Sequence, residues 1–221
     1  DNDPFAVTPG APTVVSLPNT ALGSERLPAY EIRYRIQPHS RVNVDATLFY
    51  NDYNRLRSSE GTFTPVPPTL TSVRGQNLFG ETYGGEISLV YQATDYWRLT
   101  ANYTYLNMQL HRLAGSKDTT AAGLEHQSPR QQVALISRLN LPRNVELDAS
   151  FRYVGGLSTL AIRPYYSADV RLGWRPGKDW EFSVVGQNLL EPAHPEFFTQ
   201  FSAPLPKEME RSVYAKVTWR F

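Results

Sequence analysis

The sequence predicts an all-β chain that forms part of an antiparallel up-and-down transmembrane β-barrel. Three observations support this fold class: long segments in which apolar and polar residues alternate, connections that are alternately short and long, and tryptophans that lie beside the short connections. Side chains of a β-strand change face at every residue, so alternation gives a strand one apolar and one polar face. Barrel strands that contact lipid on one side have this pattern.

Nine segments alternate in this way. They are residues 30–37, 42–51, 83–91, 97–107, 131–141, 145–153, 166–175, 180–188 and 212–221. In the sixth, Val145, Leu147 and Ala149 share one face, and Glu146 and Asp148 share the other. Globular strands are typically ~5–6 residues long, whereas most of these segments have 9 to 11 residues. At ~3.3 Å per residue they are long enough for the ~25 Å apolar band of an outer-membrane barrel.

The connections between these segments alternate in length. The short ones are residues 38–41, 92–96, 142–144 and 176–179, and the long ones are 52–82, 108–130, 154–165 and 189–211. Outer-membrane barrels have short turns on the periplasmic side and longer loops outside. The sequence therefore predicts which ends of the strands face the periplasm.

The strand count is odd, whereas bacterial single-chain barrels have even numbers of strands. An open sheet would also leave unpaired backbone groups in lipid, where each costs several kcal/mol. We therefore expect the chain to be the C-terminal fragment of a larger barrel. In this interpretation residues 1–29 are an extracellular loop segment, and residues 30–221 are the C-terminal part of the barrel domain.

All four tryptophans lie near one predicted membrane boundary. Three adjoin short connections and the fourth is two residues from the end: Trp97, Trp174, Trp180 and Trp219. Amphipathic rings collect at membrane–water interfaces. The four residues are therefore predicted to be interface aromatics on the periplasmic side.

The polar faces of the segments carry charged residues of both signs, which are predicted to line the lumen. They are Arg33, Arg35, Asp45, Arg98, Arg138, Glu146, Asp148, Arg152, Asp169, Arg171 and Glu181. Because the two signs nearly balance, we expect a polar wall and not an anion-selective pore.

Composition and motifs argue against several other functions. The chain has 22 Lys and Arg against 21 Asp and Glu, so it lacks the basic field of a nucleic-acid-binding protein. It contains no cysteine, and its four histidines lack metal-ligand spacing. No catalytic motif stands out, so the sequence predicts neither an enzyme nor a bound cofactor.

Histidines and phenylalanines in the long connections are candidate ligand contacts. These are His111, His126, His194, Phe197 and Phe198. For the last three, packing within the final loop is the favoured interpretation. His111 and His126 share one long connection, and solvated loop residues are the favoured interpretation for them.

Four local patterns, taken in order, resemble the C-terminal barrel half of TonB-dependent outer-membrane receptors. Tyr30 and Glu31 precede an arginine-bearing strand, and residues 48–53 (LFYNDY) form an aromatic strand end. Residues 81–86 (ETYGGE) lead back into the membrane, and residues 187–190 (QNLL) follow the penultimate segment. The ending with Val217, Trp219 and Phe221 is similar to the C-terminal assembly signal of the family.

This resemblance implies a 22-stranded barrel, of which the nine segments would be the last nine strands, together with a plug domain that the polar wall would contact. It implies a location in the bacterial outer membrane and uptake of a scarce ligand, such as a ferric siderophore or other iron complex, driven through TonB. The implied partners are membrane lipid, the missing N-terminal strands and plug, the TonB energy-coupling system, the outer-membrane assembly machinery and a small-molecule ligand such as a ferric chelate.

Two other classes of function remain open from the residues alone. One is a passive outer-membrane pore or a surface-adhesion barrel, and the other is a soluble carbohydrate-binding β-sandwich. A sandwich would bury the apolar faces of its strands under a second sheet.

Overall fold

A computed structural model describes residues 13–197 and 207–221. The described chain is mainly β-structure. Its strands are β1 (Thr13–Leu17), β2 (Ala29–His39), β3 (Val42–Pro65), β4 (Pro68–Thr94), β5 (Trp97–Arg112), β6 (Gln131–Leu141), β7 (Val145–Val154), β8 (Tyr165–Trp174), β9 (Trp180–Gln187), β10 (Ala193–Phe197), β11 (Lys207–Glu210) and β12 (Ser212–Trp219). A helix of one turn, α1 (Ala121–Leu124), follows β5, and 3₁₀ turns lie at Pro142–Asn144 and Ser158–Leu160.

Nine strands form an up-and-down meander in the order β12-β9-β8-β7-β6-β5-β4-β3-β2. These are the nine strands predicted from alternation, each in the predicted place. The sheet is not closed, because β2 and β12 are its two ends. Two pairings lie off this path: β1 runs parallel to β4, and β10 pairs with β11 as a separate hairpin.

The register of the meander keeps apolar residues on one face. Leu147 on β7 lies directly opposite Leu139 on β6 and Leu172 on β8. Leu172 in turn lies opposite Val184 on β9. Leu172 is 50 % exposed and Val184 51 % exposed, so the described chain does not cover this face. A soluble sandwich would cover it with a second sheet, and the described residues contain none in that position.

The hairpin of β3 and β4 is much longer than predicted. Residues 52–82 were expected to be a loop, but β3 continues to Pro65, β4 begins at Pro68, and the two strands have 24 and 27 residues. Alternation identifies a strand only where one face must be apolar. Because residues 52–82 carry mixed side chains on both faces, the pattern does not reveal that the strands continue. The prolines are confined to the hairpin tip, where no ladder donor is needed.

Gly84 marks a close approach between neighbouring strands. A Cβ atom at this position would overlap the carbonyl oxygen of Tyr105 on β5 and lie close to the ring of Phe49 on β3. Only glycine fits such a backbone approach without a shift of the sheet.

The contacts divide the chain into two units. The first comprises Asp1–Ala29, Asn51–Thr82 and Met108–Glu125, and the second comprises Tyr30–Tyr50, Tyr83–Asn107 and His126–Phe221. Within the second, Leu157, Leu160 and Ile162 form a small buried cluster in the connection between β7 and β8. Among the described residues, no helix has the length and apolarity needed to cross a membrane.

Candidate functional site: the charged face of the meander

The strand register brings the predicted charged residues together on the face of the meander opposite the apolar one. Arg98 on β5 lies opposite Arg138 on β6, Arg138 lies opposite Asp148 on β7, and Asp148 lies opposite Arg171 on β8. Residues directly opposite each other in an antiparallel ladder point to the same side. These four side chains therefore form one charged row across four strands.

Arg171 is the centre of the largest ionic cluster on this face. Its Nη1 donates to Glu146 Oε2 at 3.0 Å and to Asp148 Oδ2 at 3.2 Å, and its Nη2 donates to Glu181 Oε1 at 2.9 Å. The guanidinium is 27 % exposed, and the carboxylates of Glu146 and Glu181 are 21 % and 22 % exposed. Such partial burial makes these charge-assisted hydrogen bonds stronger than those of surface pairs.

Two further arginines complete this cluster. Arg175 pairs with Glu146, and Arg220 Nη2 lies 3.3 Å from Glu181 Oε2. Together with Arg171 they supply three positive charges for three carboxylates. The cluster is internally neutral, and through Arg220 it ties the end of the chain to β9 and so to β7 and β8.

A smaller cluster joins β2 and β3. Arg33 donates to both carboxylate oxygens of Asp45, at 2.9 and 2.6 Å, and Arg35 Nε donates to Asp45 Oδ2 at 2.8 Å. Arg33 and Arg35 are 53 % and 68 % exposed, so they lie on an open part of this face. The fork of a guanidinium matches a carboxylate in this bidentate arrangement.

Arg98 and Arg138 are less well paired. Arg98 Nε donates to Gln92 Oε1 at 3.0 Å. Arg138 has no hydrogen bond or ion pair within the described part of the chain. Both border a cavity of about 510 Å³, which is also lined by Asp95, Tyr96, Asn140, Glu146 and Asp148.

Arg152 and Asp169 connect the charged face to the last long connection. Arg152 Nη2 donates to Glu196 Oε1 on β10 at 3.1 Å. Asp169 Oδ1 accepts the backbone N–H of Asn188 at 2.9 Å, and its Oδ2 accepts the Ser150 hydroxyl at 3.3 Å. Both residues therefore hold the chain that follows β9.

His194 is buried at the same place. It is 4 % exposed, its ring stacks on Tyr165 with centroids 4.1 Å apart, and its Nε2 lies 3.3 Å from Glu196 Oε1. Its Nδ1 is 3.7 Å from Glu191 Oε2 and has no hydrogen-bond partner. This position agrees with the packing role favoured for the histidine, and its role as a ligand contact stays a prediction.

The other candidate loop contacts are dispersed. His111 lies 3.9 Å from a carboxylate oxygen of Glu81, and its ring is 5.2 Å from the ring of Phe79. His126 borders a separate cavity of about 340 Å³ with Arg130 and Gly156. Phe197 ends β10, and Phe198 lies outside the described residues. Within the described chain, no group of three or more His, Asp or Glu side chains could hold a metal ion.

The predicted interface aromatics are exposed on the apolar face. Trp180 stacks on Trp219 at 5.8 Å and on Phe182 at 6.0 Å. Phe182 lies 5.9 Å from Trp174, and Trp219 lies 5.4 Å from the terminal Phe221. These contacts form a ladder of five rings across β8, β9 and the end of the chain. Trp97 lies apart from it and donates its indole N–H to Ser137 Oγ at 3.0 Å.

One polar network was not anticipated from the sequence. Asp118 is fully buried and accepts hydrogen bonds from the backbone N–H groups of Ser59 and Thr120, both at 2.6 Å. The Thr120 hydroxyl and the Ala121 N–H donate to the same carboxylate. The only sequence signal is the Asp itself, since Asp side chains commonly accept hydrogen bonds from backbone N–H groups two residues further on.

Glu60 anchors the same connection through its own carboxylate. It accepts hydrogen bonds from Asn77 Nδ2 at 3.0 Å, Ser116 Oγ at 2.9 Å and Lys117 N at 2.6 Å. Desolvation raises the pKa of Glu60, but these bonds and one from Ser58 outweigh it and lower the pKa to about 2. The pKa of Asp118 is likewise lowered, since its backbone and hydroxyl donors outweigh desolvation.

Comparisons with known proteins identify the family. The model of the family "TonB dependent receptor-like, beta-barrel" matches residues 2–189, which is most of the chain. A comparison of the sequence with curated proteins gives no match.

Solved structures with a similar fold include three transporters. The ferric-catecholate import receptor Fiu from E. coli has a TM-score of 0.68 and 18 % identity, over 90 % of this chain and 28 % of its own. The FrpB iron transporter from Neisseria meningitidis has a TM-score of 0.71 and 14 % identity, over 95 % of this chain and 32 % of its own. The copper transporter OprC has a TM-score of 0.66 and 12 % identity, over 91 % of this chain and 33 % of its own.

The chain thus spans about a third of the length of these structures. At such low identity the likeness shows the fold alone, and the family match carries the assignment. The family consists of receptors and transporters of the bacterial outer membrane, and not of enzymes. The chain belongs to the TonB-dependent receptor-like β-barrel family and is a protein of the bacterial outer membrane.

Proposed function

We propose that the chain forms part of a receptor that imports a ferric siderophore or another iron complex through TonB-dependent transport. The observation that carries this proposal is the family match across a nine-stranded meander with one apolar and one charged face. Structures of the same fold include a ferric-catecholate import receptor and an iron transporter.

The two faces support an orientation in the membrane. The exposed apolar face carries Leu172, Val184 and Trp174. It suits lipid, since lipid is the only apolar surrounding that the wall of a barrel meets. The charged face then lines the lumen. Its largest cluster is neutral, with three arginines matched by three carboxylates, which suits a polar wall better than an anion-selective pore.

The proposed partners follow from the share of the relatives that the chain covers. The solved structures are about three times as long as the matched part, so further barrel strands and a plug would complete the receptor. TonB would supply the energy, and the assembly machinery would recognise the end of the chain at Val217, Trp219 and Phe221. Residues 1–29 would form part of an extracellular loop.

Copper is the alternative cargo, because one solved structure of the same fold is the copper transporter OprC. Two observations bear on where a ligand would bind. The connection around Asp118 and Glu60 is held by many hydrogen bonds, and the hairpin of β10 and β11 is packed through His194. Binding residues would then lie on fixed supports, as preorganised sites require.

The test is transport in the organism that encodes the chain. A strain lacking the gene would be compared with the parent for uptake of radioactive iron, supplied with each of a panel of siderophores, and for uptake of radioactive copper. We expect loss of uptake of one iron complex, restored by the intact gene and abolished again when TonB is removed.

Three outcomes would contradict the proposal. Loss of copper uptake alone would mean that the ligand is copper and not an iron complex. Uptake that persists without TonB would favour a passive pore. Unchanged uptake of every compound, with a loss of cell adhesion, would favour a surface barrel.

A further inference from the structure

His194 lies in a charged pocket near the start of the hairpin of β10 and β11. Its side chain is buried, its ring stacks on Tyr165 at 4.1 Å, and a carboxylate lies beside each of its two ring nitrogens. Glu196 Oε1 is 3.3 Å from Nε2, and Glu191 Oε2 is 3.7 Å from Nδ1. The ring therefore faces a hydrogen-bond acceptor on both sides.

A neutral imidazole does not match these two acceptors. It has one N–H donor and one acceptor lone pair, so in either tautomer one nitrogen turns a lone pair towards a carboxylate oxygen. In the structure Nδ1 is buried and has no hydrogen-bond partner. The imidazolium has two N–H donors, so only the protonated ring matches both carboxylates.

The charge balance of the pocket favours the same protonation state. Glu196 Oε1 also accepts a hydrogen bond from Arg152 Nη2 at 3.1 Å, so one arginine faces two carboxylates. With a neutral ring the pocket has one negative charge in excess, and uptake of one proton makes it neutral. A cation stacked on an aromatic face is also favourable, and Tyr165 offers that face. These gains oppose the cost of desolvating a buried imidazolium.

The strand paired with β10 presents an apolar residue to the histidine. Met209 lies opposite it on β11, and the neighbouring Glu208 and Glu210 lie on the other face of that strand because side chains alternate. Lys207 lies at the other end of this ladder. On β8, Asp169 is already occupied by two hydrogen-bond donors. The charge of the pocket is therefore set by the histidine, its two carboxylates and one arginine.

We propose that His194 is a proton-operated clamp, which fastens the hairpin of β10 and β11 to strands β7 and β8 when its ring takes up a proton. The protonated ring joins Glu191 and Glu196. Glu191 Oε1 accepts the backbone N–H of Tyr166 on β8 at 3.4 Å, and Glu196 is held by Arg152 on β7. Each carboxylate thus links the ring to a different strand of the meander. The clamp rests on the proposed function in one respect, since an outer position of this connection exposes it to the external pH.

The hairpin should be more firmly fastened at acidic pH. The fastened hairpin holds the proton more tightly than the released one, so the stability of the clamp falls as the pH rises. Histidine side chains change charge between about pH 5 and 8, whereas free Glu side chains stay largely ionised above pH ~4.3. The clamp should therefore close as the pH falls through the histidine range, while its carboxylates are still charged.

The experiment measures amide hydrogen exchange of residues 189–197 and 207–211 by mass spectrometry. The full-length receptor in lipid vesicles is compared at about pH 8 and about pH 5.5, the two ends of the histidine range, with labelling times scaled to equal intrinsic exchange. We expect protection to rise about five- to tenfold at the lower pH, since one charge-assisted hydrogen bond is gained in partly exposed surroundings. The readout needs neither ligand nor transport, so a failed uptake assay would leave it standing.

Three variants separate proton uptake from packing. His194→Gln cannot take up a proton, so the rise should vanish even where protection is lower at both pH values. Glu191→Gln keeps the histidine and its stacking on Tyr165 but removes the charge beside Nδ1, so the rise should shrink. His126→Gln is the matched control, because the cavity that His126 borders is lined by no carboxylate of the described residues, and the rise should persist.

Three results would overturn the proposal. The first is equal or lower protection at the acidic pH in the unmodified receptor. The second is a rise of undiminished size in His194→Gln or in Glu191→Gln. The third is loss of the rise in His126→Gln. If His194→Gln does not assemble, the comparison of Glu191→Gln with the unmodified receptor decides.

Discussion

The backbone N–H of Ser59 donates to the buried carboxylate of Asp118 at 2.6 Å, across 59 residues of sequence. Since Asp118 also accepts bonds from Thr120 and Ala121, Asp118→Ala would leave several donors without a partner. A buried donor left unsatisfied costs about 1–3 kcal/mol. We expect faster amide hydrogen exchange in residues 113–125, measured by mass spectrometry on purified receptor. Thr119→Ala changes the exposed neighbour and should leave the exchange unchanged; equal effects of the two variants would contradict a role for the carboxylate.

The pKa of Glu60 predicts how this connection responds to acid. A carboxyl whose pKa is lowered by folding stabilises the folded form above its ordinary pKa and loses that contribution as the pH falls towards the folded value. The pKa of Glu60 is about 2 and that of Asp118 is also lowered. Hydrogen-exchange protection of residues 113–121 should therefore be constant from neutral pH to about 4.5 and decline below it. In Glu60→Gln the decline should be smaller, and an identical profile in both proteins would assign the acid response elsewhere.

The sequence predicted the meander well because lipid imposes a pattern on every strand that crosses it. Leu147, opposite Leu139 and Leu172, belongs to an apolar face that persists from strand to strand. Alternation alone therefore located all nine strands. Outside the lipid no face has to be apolar, which is why the continuation of β3 to Pro65 was not predicted.

The sequence did not predict which charged residues pair with one another, for a different reason. Alternation within each strand assigns Arg171 on β8 and Glu181 on β9 to the polar face. It does not show that Arg171 binds three carboxylates while Arg138 binds none in the described chain. Those choices depend on register and rotamers across several strands. The contact between Asp118 and Ser59 depends on the fold of a connection with no repeating pattern.

The ring ladder predicts unequal roles for the tryptophans. Trp219 contacts Trp180 and Phe221, whereas Trp97 has no ring partner among the described aromatic residues. An aromatic pair contributes about 0.5–1.5 kcal/mol beyond its buried area. Trp219→Ala should therefore lower the free energy of unfolding in lipid vesicles by about 1 kcal/mol more than Trp97→Ala does, as measured by urea titration. Equal losses of unfolding free energy would mean that contacts between the rings add no stability beyond that of each ring at the membrane interface.

The cluster around Arg171 predicts a large effect of one substitution. Arg171→Gln leaves Asp148 without a cation and removes one of the two arginine partners of Glu146 and of Glu181. Hydrogen bonds to charged groups contribute about 1.5–3 kcal/mol, so a destabilisation of that order is expected in urea titration. Arg138→Gln in the same full-length receptor is the matched control, and it should cost less because it removes a like-charged neighbour of Arg98. A larger loss from Arg138→Gln than from Arg171→Gln would contradict the assignment of their partners.

The orientation of the two faces can be tested with one arginine placed on each. Leu147→Arg puts a charge among Leu139 and Leu172 on the face assigned to lipid. An arginine facing lipid near the bilayer midplane costs about 2–4 kcal/mol. Ser150→Arg places the same side chain on the opposite face of the same strand, next to the carboxylate of Asp169, and should cost far less.

The measurement is the amount of folded, heat-modifiable receptor in the outer membrane, followed by urea titration in vesicles. If Ser150→Arg reduced assembly more than Leu147→Arg, the lipid and lumen sides would have to be exchanged.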